Sequence, residues 1–143
     1  MIDFPDREPS EATVEAVGKL SEALEVVERA RGHLYSFHQL TGTADLGLSD
    51  AADLLERAGH PDWAERIRRD LIGLNVLPER WTFQIVEEYD DGYYRTFTDL
   101  ERDVRDALTQ GRRHLFEQQL KERRRTHGQA GHEPGAPTTS PPR

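Results

Sequence analysis

The sequence predicts an all-α fold, and three observations carry that prediction. Apolar residues recur three and four apart over long stretches, and glycine and proline fall where helices would end. The single stretch rich in strand formers, near 82–98, could form only a lone hairpin, and no other segment reads as a third strand. The expected architecture is two long amphipathic helices packed with a short helical hairpin, followed by a basic C-terminal helix. A flexible lead-in at 1–9 precedes a single helical domain at 10–125, and a disordered tail fills 126–143.

Ser10 opens the first helix as an N-cap, with Glu11 in the first turn where the helix dipole favours a carboxylate. From there to about Leu40 the apolar stripe reads Val17, Leu20, Leu24, Val27, Leu34 and Phe37, with Ala16, Ala23 and Ala30 alongside. Arg31 and His38 fall on that stripe, and His33 lies on its shoulder. Thr41-Gly42-Thr43 is expected to end the helix, since glycine suits the left-handed position past a C-terminus. Ser49 then restarts a short hairpin. Gly59 closes its first arm, and Pro61 starts its second, which buries Trp63, Ile67 and Leu71.

Trp81 onward supports two readings. As a helix, Val86, Tyr89, Tyr93, Phe97, Leu100, Val104 and Leu108 form an almost unbroken stripe. As a hairpin, an α+β alternative, Asp91-Gly92 is a favoured two-residue turn that would set Glu88 opposite Arg95. The helix is preferred, because an isolated two-stranded hairpin is marginal in water while a helical glycine costs only about 1 kcal/mol. Leu115, Phe116 and Leu120 give the last helix a short apolar patch, and Lys121 to Arg125 place cations at its C-terminus. Beyond Thr126, glycine, proline and small polar residues offer nothing to pack.

Composition narrows the function. Cysteine is absent from the 143 residues, which removes disulfides, thiolate catalysis and Cys-ligated zinc or iron–sulfur chemistry. The N-terminus is acidic without an apolar run, and no stretch approaches the ~18 apolar residues of a membrane span. The expected setting is the cytoplasm, with no membrane contact. Residues 1–110 hold 24 Asp/Glu against 12 Lys/Arg, whereas residues 111–143 hold 3 against 7. An acidic body argues against nucleic acid as a partner.

The candidate ligand-binding constellation is Arg31, His38, Glu88, Asp90, Tyr93 and Arg95. A buried arginine must be paired, and Asp90 is the carboxylate expected to reach inward to Arg31 and His38. Paired so, these residues set the helix packing; opened into a pocket, they would hold an anion and exchange protons. No metal ligand set or cofactor is implied: Glu-x-x-His and His-Glu-x-x-His are both absent. His33 and His38 sit about 140° apart around a helix and do not converge. The candidate partner-binding residues are Arg112, Arg113, Arg123, Arg124 and Arg125. Two long helices beside two short ones leave a lopsided core, which favours homodimerisation. The expected role is a homodimeric helical interaction protein whose basic C-terminal segment engages a protein partner. The alternative is a small-molecule, anion or metal-binding protein, conceivably an enzyme, with its site between the long helices.

Overall fold

A computed structural model describes residues 8–135, so the outer parts of the lead-in and the tail lie outside the described residues. The protein is all-α, and the described residues contain no strand beyond one isolated bridge between Leu77 and Arg80. The helices are α1 (Glu11–Arg57), α2 (Pro61–Asp70), α3 (Thr82–Tyr89), α4 (Arg95–Thr109) and α5 (Leu115–Arg124). A π-helical turn, Asp90–Tyr94, joins α3 to α4. None of the helices is long and apolar enough to cross a membrane.

Ser10 caps α1 as expected, its hydroxyl accepting the Thr13 N–H at 3.1 Å. The expected break at Thr41-Gly42-Thr43 does not occur, and α1 runs unbroken for 47 residues. Gly42 keeps a negative φ, and Thr43 turns its hydroxyl back onto the Gln39 carbonyl at 3.1 Å. The helix survives because Leu34, His38, Thr41, Asp45 and Leu48 are all partly buried along one side of it. That packing outweighs the ~1 kcal/mol penalty of a glycine. The true end is at Gly59, where φ is +89° and the Gly59 and His60 amides bond to the Glu56 and Leu55 carbonyls. This is the Schellman arrangement, and Pro61 then starts α2.

Two glycines of α1 carry opposite predictions. A Cβ on Gly18 would lie 2.8 Å from Phe116 Cβ, so α5 approaches α1 as closely as a glycine allows. A Cβ on Gly42 would meet nothing within 4 Å. Gly42→Ala is therefore expected to stabilise by about 0.5–1 kcal/mol through helix propensity. Gly18→Ala is expected to destabilise by about 1–3 kcal/mol through overpacking. Urea unfolding of the two variants beside the parent measures both signs.

The contacts divide the chain into two compact units. The first takes in the chain up to Val27 and from Tyr94 onward; the second is Glu28–Tyr93. Buried hydrophobics are few in both: Val14 and Val17 in the first, Ala52, Ala64 and Val86 in the second. In the second unit α2 buries Ala64, while Trp63 and Leu71 remain 58% and 47% exposed, contrary to expectation. Arg68 fastens α2 to the end of α1 through Asp53 at 2.7 Å and Glu56 at 3.0 Å. Small residues at the contact let the backbones approach, which leaves the large ring no room inward.

The helix preferred for 82–98 is present and the hairpin alternative is not. Glu88 accordingly pairs with Arg80 at 2.9 Å, not with Arg95. The expected stripe fails in one informative way. Tyr93, Leu100 and Leu108 are 59%, 57% and 47% exposed, whereas Glu101, Arg105 and Thr109 are buried. A π-turn is a one-residue insertion in an α-helix, so every position after it rotates by about 100°. The inward face therefore moves from 100, 104 and 108 to 101, 105 and 109.

Candidate functional site

The inward face of α1 interleaves polar side chains with its apolar ones. Between Val14 and Leu55 it carries Ser21, Arg31, His38, Thr41 and Asp45, each only partly exposed. Four of these meet partners from distant segments, each within its own unit. Asp45 accepts the Gly73 N–H at 2.9 Å, where the chain turns with φ +76°. His38 Nδ1 lies 2.7 Å from the Thr82 hydroxyl, which is buried at the start of α3. Arg31 grips Asp90 in a bidentate pair, Nε to Oδ1 at 2.7 Å and Nη2 to Oδ2 at 2.9 Å. In the first unit, Ser21 donates to Glu101 at 3.0 Å.

The expectation that Asp90 reaches inward to Arg31 holds, but the candidate constellation as a whole does not gather. The π-turn begins at Asp90, and the pair with Arg31 ties that turn to α1. The Arg31 guanidinium also lies 5.5 Å from the Tyr35 ring, which meets the His38 ring edge-on at 6.1 Å. His38 uses Thr82 rather than Asp90. Glu88 is held by Arg80, and Tyr93 is 59% exposed with its ring 5.8 Å from Tyr89. Arg95 is exposed and belongs to the first unit.

The Arg31 hydrogen bonds hold the Asp90 carboxyl below the ordinary aspartate range. A depressed folded-state pKa stabilises above the unfolded pKa of about 3.9 and is lost as pH falls through the folded value. Asp90→Asn is expected to cost about 1–2 kcal/mol at neutral pH, a modest figure for a pair that is about 30% exposed. The gap between parent and variant should stay constant above pH ~5 and close below pH ~4. Chemical unfolding at a series of pH values reads this out.

The most buried polar cluster was not anticipated. Arg105 and Glu101 form an ion pair at 3.0 Å with side chains only 10% and 8% exposed. Arg105 Nη1 also donates to the Gly111 carbonyl at 3.0 Å, and the Thr109 hydroxyl donates to the Arg105 carbonyl at 2.8 Å. Gln110 and Gly111 take left-handed conformations here, so Arg105 caps the chain that leaves α4. Among the described residues no buried side-chain nitrogen or oxygen lacks a hydrogen-bond partner. A spacing of four between glutamate and arginine ordinarily signals a surface pair, and only the π-turn makes it an interior one.

The C-terminal cations divide into two groups. Arg112 reaches Glu8 at 3.3 Å, and Arg125 binds Glu122 at 2.6 Å. Arg125 and then His127 hold the Glu122 carboxyl down at about 2. Arg113, Arg123 and Arg124 are exposed. A shallow cleft in the first unit is lined by Val14, Gly18, Ser21, Thr109 and Phe116 among others, with no residue of the candidate constellation in it. Among the described residues Glu25, His114 and Glu117 are the group whose donor atoms lie within 4.8 Å of one another. All three are exposed, with His114 3.8 Å from Glu117 in an ordinary i, i+3 pair. Comparison with protein-family models, with curated proteins and with solved structures finds no match.

Proposed function

We propose that this chain is a helical interaction protein that works as a homodimer. One observation carries the reading: many large apolar side chains lie outside, while satisfied polar pairs take up part of the inward faces. Leu40, Leu46, Leu54, Trp63, Leu74 and Leu100 are all more than half exposed, whereas five hydrophobic residues are buried among the described residues. Exposed apolar side chains that share a face mark an interaction site, and Leu40 and Leu54 lie on one face of α1. The cationic end, with Arg113, Arg123 and Arg124 exposed, suits an acidic surface on a protein partner. Removing it entirely would be a poor test, since Phe116 packs against Gly18.

The alternative, a ligand site around Arg31, His38 and Asp90, has less support. The bidentate pair occupies the guanidinium edge and the carboxylate that such a ligand would need. Light scattering on the full chain tests the homodimer: a mass of two chains at micromolar concentration is expected. A single-chain mass up to ~100 μM, a concentration at which a Kd tighter than about −5.5 kcal/mol would already show, would overturn it.

A further inference from the structure

The outward side of α1 carries a second periodic row that the inward stripe conceals. Within the second unit, Ala30, His33, Phe37, Leu40, Ala44 and Gly47 follow one another at alternating spacings of three and four, and Ala51 and Leu54 continue it. Every member is exposed, including Phe37 at 45%, Leu40 at 68% and Leu54 at 62%. This is the a/d spacing of a coiled coil, apolar at each a position and carrying His33 and Gly47 among its d positions. It lies about 100° around the helix from the inward stripe. A sustained repeat of 3.5 residues on an exposed face keeps one seam directed at a partner helix.

The geometry points to a second copy of this chain as that partner, packed antiparallel along α1 about a two-fold axis near residues 38 and 39. This rests on the homodimer reading and specifies its interface. Two independent properties of the sequence select the register. In an antiparallel coiled coil, each a residue packs against a d residue of the other copy. Centred here, Ala30 faces Gly47, His33 faces Ala44, and Phe37 faces Leu40 of the second copy. By sequence, Ala51 and Leu54 then fall opposite Val26 and Ala23. Outside the central Phe37–Leu40 layers, no layer sets two large residues against each other. Small residues opposite one another at Ala30 and Gly47 let the helices approach closely, which suits a well-packed seam.

The flanking charges agree with the same register. The positions preceding each a residue are Glu22, Arg29, Ser36, Thr43, Asp50 and Arg57. In this antiparallel alignment Arg29 meets Asp50 and Ser36 meets Thr43, so no like charges are opposed within the second unit. A parallel pair would lose the match of Arg29 with Asp50. Its layers would set Phe37 on Phe37 and Gly47 on Gly47. Its flanking charges Glu22, Arg29 and Asp50 would face Val27, Leu34 and Leu55, which are partly buried within each chain.

The absence of cysteine makes the register directly testable by cross-linking. Residues 30 and 47 are about 25 Å apart on one helix, too far for a bond within a chain. Under mild oxidation the full-length double variant Ala30→Cys/Gly47→Cys is expected to become a covalent dimer in high yield. Ala30→Cys alone should remain uncross-linked. Cross-linking of the single variant would show a parallel seam and overturn the proposal. Failure of the double variant, in a chain that light scattering still finds dimeric, would place the interface elsewhere and leave the homodimer reading standing. A single-chain mass would remove both.

Discussion

Arg105→Met is expected to lower the unfolding free energy by about 3–5 kcal/mol, the largest effect of any single substitution considered. The methionine fits the space of the arginine stem, so the loss is electrostatic. It leaves the Glu101 carboxylate buried with only the Ser21 hydroxyl to solvate it, and it strips the Gly111 carbonyl of its donor. Against a typical domain stability of about 5–15 kcal/mol, such a loss takes a third or more of the total over most of that range and approaches the unfolding midpoint at its lower end. Pairing it with Glu101→Met removes the orphaned charge and should recover most of the loss, because a buried ion pair contributes little relative to an apolar pair of similar volume. A double-mutant cycle by urea unfolding measures the coupling. The exposed pair of Arg102 with Asp99, at 3.5 Å on the same helix, is the control and should move stability by less than ~0.5 kcal/mol.

Leu40→Glu is expected to separate the two copies while leaving the chain folded. Leu40 is 68% exposed in the single chain, and glutamate forms helix about as well as leucine, so the monomer should lose under ~0.5 kcal/mol. At the seam the cost is larger. Each dimer contains the position twice, close to the two-fold axis, so two leucine burials of about 1.5–3 kcal/mol each are lost. Two carboxylates are also brought beside apolar rings. The combined change corresponds to at least about a 100-fold weaker dimer. Circular dichroism unchanged from the parent, with the mass of one chain by light scattering, is the expected outcome. A dimer of unchanged affinity would mean that Leu40 lies outside the interface.

How much of this could be read from the sequence differs by element. The helical character of 11–40, 49–57 and 82–109 was legible, because 3–4 spacing survives even where the residues are polar. The pairing of Arg31 with Asp90 was legible too, since an arginine on an inward stripe needs a carboxylate. Three things were hidden, each for a physical reason. Gly42 looked like a terminus because local propensity cannot weigh tertiary packing on both sides of it. The burial of Glu101 and Arg105 was hidden by the π-turn, which has no local signature and rotates all that follows it. The two faces of α1 merged into one broad stripe, because inward and outward rows differ by only about 100° and share alanines at their border. Phe37 was therefore placed inside, although it is 45% exposed.

An outward seam on α1 that faces an antiparallel second copy fixes the distances between equivalent residues of the two copies. Spin labels on single-cysteine variants at two exposed positions, Gln39 and Ser49, test it most directly. In the antiparallel register the two Gln39 positions of a dimer sit almost level across the axis. The two Ser49 positions are offset along it by roughly 30 Å at 1.5 Å of rise per residue. Pulsed dipolar spectroscopy should find a short distance for Gln39 and one longer by more than ~10 Å for Ser49. Two equal short distances, or no dipolar coupling at either position, would contradict the account.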